Sequence, residues 1–394
     1  KGYTPVRMNA GVNNNFLQVN NINAIFRSDG YFNYDKITFS SGVAGMIWPA
    51  ASSQRLIAIF TTGIYIGAKV NGDLRLAASM FNTHFSPGNI PVVGQVPGSQ
   101  VCSDPRLKAY QVNVNDPSLV SGGTRQKLAG GRTYTIVYDS WASWPVDLGA
   151  PYVEVNGIPG YQPEFDGDRP GIGNSIARPD EIIWSVFMDY TNCTNNQHFS
   201  ELSLPGGTLP MGAEVQQTSF AFLAPGLLNM YFVKWKIINK SNDVWDSTFT
   251  AIACDPDLGE SGDAAVGCDS TQNLGFCYNQ DNEDTDYGTA PPAVGFKYLQ
   301  SPIVYTGDPN DTAKLPYGNL VGYKSVGLSL FTTFINGQNE CLGDPDQAVN
   351  AYNFMKYSEG CANPLINWTT GGPSRYKYNG NACTKVGWYD SLPG

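Results

Sequence analysis

"NMYFVKWKIINKS", residues Asn229 to Ser241, puts Tyr231, Val233, Trp235 and Ile237 on one side of an extended chain and Phe232, Lys234, Lys236 and Ile238 on the other. A period of two marks a strand, because successive side chains leave a pleated backbone on opposite faces. One face should be buried and the other partly wet. Similar runs rich in Val, Ile, Tyr, Phe and Thr recur at 55–60, 63–70, 74–79, 133–138, 152–155, 181–189, 215–222 and 326–334, punctuated by Gly, Pro, Asn and Asp. Asn71-Gly72 in "KVNGDLRLA" and Asn156-Gly157 in "YVEVNGIPG" fit two-residue hairpin turns, whose central positions both need positive φ. Helical spacing is best at 347–356, "QAVNAYNFMK", where Ala348, Ala351, Tyr352 and Met355 share a side. No repeat of fixed period and no coiled coil is visible. The expected fold is all-β, built of β-sandwich-like units, immunoglobulin-like or jelly-roll-like, with long loops stapled by disulfides and calcium.

The Pro-, Gly- and Asp-rich passage 157–180 reads as a divider. It gives two expected domains: 1–165, with an extended Asn-rich N-terminal arm, and 166–394, with an acidic, Cys-rich loop. The arm, "MNAGVNNNFLQVNNINAIF", has two readings. One is an ordinary first strand or ordered coil; the other is a donor segment that adds to the sheet edge of a neighbouring copy.

Lys+Arg number 24 against 34 Asp+Glu, a net charge of -10, so the chain lacks the basic footprint of a nucleic-acid binder. Charged residues make up only 15 % of it, and amides, hydroxyls and aromatics supply the remaining surface polarity. Even the most apolar part, 43–68, is interrupted by Pro49, Ser52, Ser53, Gln54 and Arg55, which argues against membrane insertion. The chain opens at Lys1 with no charged and apolar leader, and we expect a signal peptide to have been removed. Eight cysteines, at 102, 193, 254, 268, 277, 341, 361 and 383, show no repeated CxxC pair and suggest disulfides in an oxidising compartment. Cys254 with Cys268 or Cys277, and Cys341 with Cys361, would close local loops. A secreted protein, extracellular or at the cell surface, is the expectation.

The densest negative charge lies in "CDPDLGESGDAAVGCDSTQNLGFCYNQDNEDTDYG", residues Cys254 to Gly288. Calcium takes six to eight oxygen ligands from carboxylates and carbonyls on irregular, Gly-bearing loops. Asp255, Asp257, Asp263 and Asp269, with Gly259 and Gly262 for turning, form one candidate ligand set; Asp281, Asn282, Asp284 and Asp286 form a second. EF-hand spacing is missing, so a structural calcium that locks a core-poor loop is the expected role. The alternative is a solvated acidic loop.

Signals for chemistry are few. Only two histidines occur, His84 and His198, and neither belongs to a recognisable motif; each reads as a surface or hydrogen-bonded core residue. No G-x-S-x-G, H-E-x-x-H or phosphate-binding loop is present. "PEFDGDRP" would place Glu164, Asp166 and Asp168 on one face of a strand, as in laminarinase-type retaining glycosidases, although Gly167, Pro163 and Pro170 favour a turn. Trp141 and Trp144 in "DSWASWP", Trp368 in "NWTTGG", and Trp388 with Tyr389 in "GWYDS" are candidates for stacking on sugars or for packing. Asn192, Asn239, Asn310 and Asn367 begin N-x-Ser/Thr sequons.

The succession "WSVFMDYTN", "PMGAEVQQTSFAF", "VKWKIINKSNDVWDSTFTAIACDPDLGESGDAAVGCDSTQNLGFCYNQDN" and "YGTAPPAVGFKYLQSP" resembles large secreted cell-surface proteins of Bacteroidota and Ignavibacteria type. "NNINAIFRSDGYFNYD", "AGMIWPA" and "TTGIYIGAKVNGDLRLAASMFNTHFSPG" match the front part of the same group, so the likeness covers most of 20–302. It implies a cell-surface or extracellular β-protein, often with a sorting domain for the type IX secretion route, and names no substrate. No convincing sorting domain is read at "WYDSLPG", and the expectation is either that cleavage has removed it or that the export route differs. The functional expectation is a structural protein, not an enzyme: a self-associating surface-layer, sheath or filament subunit or adhesin, stabilised by calcium, with copies of itself as partners and surface glycans as further candidates. The alternative is a secreted polysaccharide-acting enzyme or carbohydrate-binding module.

Overall fold

The computed structural model describes residues 12–36, 42–152, 179–199, 206–315, 318–337, 339, 341–357 and 359–391. The protein is all-β, with many small antiparallel sheets. Its contacts group the chain into two compact units. The first holds the described residues of 12–152, 179–255 and 345–352, and the second those of 256–344 and 353–391. This grouping differs from a division at 165/166, because strands after residue 180 pair back onto strands before 115. Most of the passage read as a divider, and the hairpin expected at Asn156-Gly157, lie outside the described residues.

In the first unit, Glu181–Met188 is the central strand of the main sheet, and all eight of its residues are buried. Ala213–Ala221 pairs along one edge, while Tyr110–Asn113 and Ser86–Pro87 share the other. Tyr231–Asn239 then pairs with Ala213–Ala221 over nine residues and forms the outer edge. The period-two reading of this strand holds: Trp235 and Ile237 pack on the core side, and Trp235 Nε1 donates to Gln217 Oε1 at 2.7 Å. On the opposite face Phe232 stacks on Phe220, and Lys236 is exposed. Lysines on an edge strand oppose open-ended strand addition there.

A second sheet, ordered Trp245–Asp255, Thr61–Val70, Asp73–Ala78, packs against the first. Ile64, Ile66, Val70 and Ala77 meet Phe187, Met211, Ala213 and Val215 in one buried cluster, which makes this unit a sandwich. The Asn71-Gly72 turn forms as read, with φ of 53° and 88° between paired Val70 and Asp73. Trp144, 5 % exposed, packs by Tyr110, which in turn lies against Trp184 of the central strand, so this indole is a core residue and not a sugar platform. A separate ribbon, Ser121–Ala129 with Arg132–Ser140, turns at Gly130-Gly131 and packs Tyr134, Ile136 and Tyr138 against Phe16 and Ile25. The first strand of this ribbon and Trp245–Asp255 are missing from the sequence reading, because polar residues interrupt their apolar pattern.

The second unit has a three-stranded sheet, Ala264–Asp269, Leu274–Asn279 and Ala293–Lys297. Around it are short ribbons, including Ile303–Tyr305 with Tyr323–Ser325, Thr312–Leu315 with Gly318–Val321, and Leu365–Ile366 with Pro373–Ser374. The helix Ala348–Tyr357 falls where the spacing placed it. The strand expected at 326–334 does not form: Gly327 takes φ of 69°, Leu328 N–H donates to Asn273 Oδ1 at 2.8 Å, and Phe331 keeps a single bridge to Tyr376. No helix among the described residues is long and apolar enough to cross a membrane.

Cys102 and Cys193, 91 residues apart, and Cys341 and Cys361, 20 apart, form disulfides. In a chain-entropy account, closing the longer loop removes about 4–5 kcal/mol of unfolded-state freedom. The expectation for all eight cysteines needs correction, since Cys254, Cys268, Cys277 and Cys383 are thiols. Cys254 lies opposite Thr62 and accepts its hydroxyl at 3.7 Å. Cys268 stands across from Gly275 and Cys277 across from Val266, so neighbouring strands do not set these two face to face. Burial and the nearby Asp269 carboxylate push the Cys268 thiol up to about 12.

Candidate functional site

The acidic stretch folds as a series of turns in which carboxylates take backbone N–H groups. Asp284 is the hub: only 6 % exposed, it accepts Asp286 N–H at 2.8 Å and Tyr287 N–H at 2.6 Å on Oδ1, and Glu260 N–H at 3.0 Å on Oδ2. Gly259 is needed beside it, because a Cβ there would fall on the Asp284 carboxylate. Asn279 Nδ2 bridges Asp263 and Asp284 at 2.8 and 3.3 Å. Asp269 caps the hairpin that follows its strand, accepting Thr271 N–H and Oγ1–H and Gln272 N–H; these bonds hold its carboxyl below the usual range. Asp281 accepts Glu283 N–H at 2.8 Å.

Asp257 is half-buried, and burial pushes its carboxyl up, whereas Asp286 is exposed and uses its own N–H on Asp284. Asp255 lies at the end of a strand of the first unit, paired with Thr61. Within the second unit, Asp263 and Asp284 meet at the Asn279 amide, while Asp269 and Asp281 each cap a turn of their own. Among the described residues no three His, Cys, Asp or Glu side chains gather as cation ligands. Replacing Asp284 by Ala should leave three N–H donors without their acceptor and lower stability by about 2–3 kcal/mol, measured by denaturant unfolding; a change within 0.5 kcal/mol, the usual range for a neutral surface site, would remove the hub role.

Glu164, Asp166 and Asp168 lie outside the described residues. The two histidines are buried and stack, with ring centroids 4.5 Å apart. His198 reaches two carbonyl oxygens, Leu76 O from Nδ1 at 3.1 Å and Asp189 O from Nε2 at 2.7 Å. His84 Nδ1 accepts Ala78 N–H at 3.2 Å, and burial, helped by His198, holds this ring well below its usual value. Asp189, fully buried, accepts Met211 N–H at 2.6 Å and Ala213 N–H at 2.8 Å; burial raises its carboxyl and His198 opposes that rise. These bonds tie the two sheets of the sandwich together. Nothing in the local sequence around either histidine foretells the stacking, because their positions are set by different loops.

A second buried network explains the Asn-rich stretch. Asn14–Leu17 is a strand paired with Ala24–Arg27. The Asn13 side chain exchanges hydrogen bonds with the backbone of Ala109, to whose carbonyl Asn15 Nδ2 also donates, and the Gln111 side chain exchanges a pair with the backbone of Phe16. Side-chain amides thus stand in for a strand ladder, and the Asn at alternate positions 13 and 15 is the signal for it. Beneath them Glu181 accepts Tyr138 O–H and Gln18 N–H, both at 2.7 Å, and burial pushes its carboxyl up. A groove of about 210 Å³ lies beside this zipper, but Asn13, Asn15 and Gln111 lining it are already engaged by the chain.

Fold and sites together define an all-β, disulfide-bonded protein held by amide- and carboxylate-capped loops. The chain matches no protein-family model, no curated protein and no solved structure.

Proposed function

We propose that this is an extracellular structural protein that associates with copies of itself, as a surface-layer, sheath or filament subunit or an adhesin. One observation carries the reading. The outer face of the ribbon Ser121–Ala129 and Arg132–Ser140 presents Thr124, Gln126, Leu128, Thr133, Thr135 and Val137, all exposed and all uncharged. Leu128 is 62 % and Val137 58 % exposed, and Gln126 and Thr135 hydrogen-bond across the strands. Copies with a net charge of -10 repel one another, so a neutral, flat face is where two of them approach most favourably. The two disulfides and the resemblance to secreted surface proteins support an extracellular setting.

For calcium, the carboxylate geometry favours loops capped by N–H groups over loops locked by a cation. Sedimentation of the oxidised protein over rising concentration, with calcium and then with chelator, tests both parts. The expected result is concentration-dependent association that is lost in Leu128→Lys/Val137→Lys and unchanged by chelator. A protein that stays monomeric at high concentration defeats self-association. Assembly and thermal stability that both collapse with chelator would restore the calcium-locked loop.

A further inference from the structure

We infer that the second unit carries a binding site for the carboxylate of an acidic sugar, a uronic acid unit of a polysaccharide. A cavity of about 320 Å³ has walls of Leu330, Tyr357, Pro364 and Pro373, with Lys356, Ser374 and Arg375 completing its lining. Lys356 and the exposed Arg375 both belong to this lining, in a chain where acids outnumber bases 34 to 24, and no Asp or Glu belongs to it. Among the described residues the Arg375 side chain makes no ion pair and no hydrogen bond, although other arginines, such as Arg27, Arg106 and Arg125, pair with aspartate. A planar, unengaged guanidinium suits a carboxylate, which it binds through two parallel N–H donors. Lys356 Nζ lies over the Tyr357 ring, 4.8 Å from its centroid, so this cation is already seated on an aromatic wall and Arg375 is the group left to meet a carboxylate.

The rest of the surface indicates a sugar and not an acidic peptide. Pro364 precedes the strand Leu365–Ile366, and Pro373 pairs with Ile366, so one hairpin builds a wall of the cavity. The loop of that hairpin carries Trp368, whose indole is 64 % exposed. Ring faces and prolines suit the C–H faces of pyranose rings, and the walls offer few groups that could pair a peptide backbone. The overall charge repels a polyanion, but at physiological salt that field is screened beyond about 8 Å, whereas the local pair acts in contact.

This reading is independent of self-association, and its test uses the full oxidised chain. Titration with oligogalacturonate, neutral dextran and polyglutamate, followed calorimetrically, should give binding to oligogalacturonate alone. Arg375→Glu should weaken that binding by about tenfold or more, and Trp368→Ala should weaken it with the charge unchanged. Arg375→Gln serves as a second variant, and an unaltered unfolding midpoint confirms that each variant is folded. Equal binding of polyglutamate, or oligogalacturonate affinity indifferent to Arg375, would overturn the assignment.

Discussion

Replacing Gly63 by Ala is expected to cost about 4 kcal/mol or more, enough to leave the first unit largely unfolded. Gly63 sits in the middle strand of the second sheet, opposite Ala253. An added Cβ would fall on the carbonyl carbon and oxygen of Ser79. The obstacle is backbone, so no rotamer change relieves it, and Ser79 itself is tied down: its N–H donates to Ile64 O at 3.0 Å, and its Oγ accepts Ile64 N–H at 3.3 Å. Gly72→Ala provides the contrast, since that site has open space around it and only its φ of 88° opposes a side chain; about 1 kcal/mol is expected there. Equilibrium unfolding of both variants checks the pair. Equal small losses would mean that the sheet shifts to make room.

Acid should destabilise the sandwich through His84. Its ring is fully buried, and burial first, then His198, holds it well below the ordinary value near 6.5. Below pH 6.5 the unfolded chain takes up a proton that the folded chain refuses. Stability from this group is therefore complete above about pH 6.5 and falls as pH drops, by at most about 1.4 kcal/mol per pH unit. Asp189 and Glu181 act in the opposite sense. Their carboxyls are raised, so the folded state binds protons more readily once pH falls toward the carboxylate range, and part of the loss is offset there. The decisive comparison is His84→Asn, whose amide oxygen can still accept Ala78 N–H. Its stability should be nearly flat between pH 7 and 5.5, where the parent falls by about 1–1.5 kcal/mol. Parallel curves for the two proteins would show that His84 does not set the slope.

The local elements were legible wherever near neighbours decide them. Alternation over 231–238 gave a strand, Asn71-Gly72 gave a turn, and the spacing from Ala348 to Met355 gave a helix, because backbone sterics and amphipathic periodicity act over a few residues. The Cys341–Cys361 pairing was equally local, closing a span of 20 residues. Periodicity failed at 326–334, where a left-handed Gly327 and a side-chain acceptor from Asn273 took the backbone out of the extended state.

By itself, the sequence determined that the chain is all-β, that its turns lie at Gly and Asn, and that it lacks the charge of a nucleic-acid binder. Only the tertiary structure decided which groups meet. It set Asp284 on the N–H groups of Glu260, Asp286 and Tyr287, buried Trp144 while leaving Trp368 exposed, stacked His84 on His198, and placed Arg375 in the lining of a cavity that holds no Asp or Glu. These outcomes depend on contacts between residues far apart in the chain. Strand order and register, settled by burial of the whole core, set such contacts, and no short window of sequence contains that information.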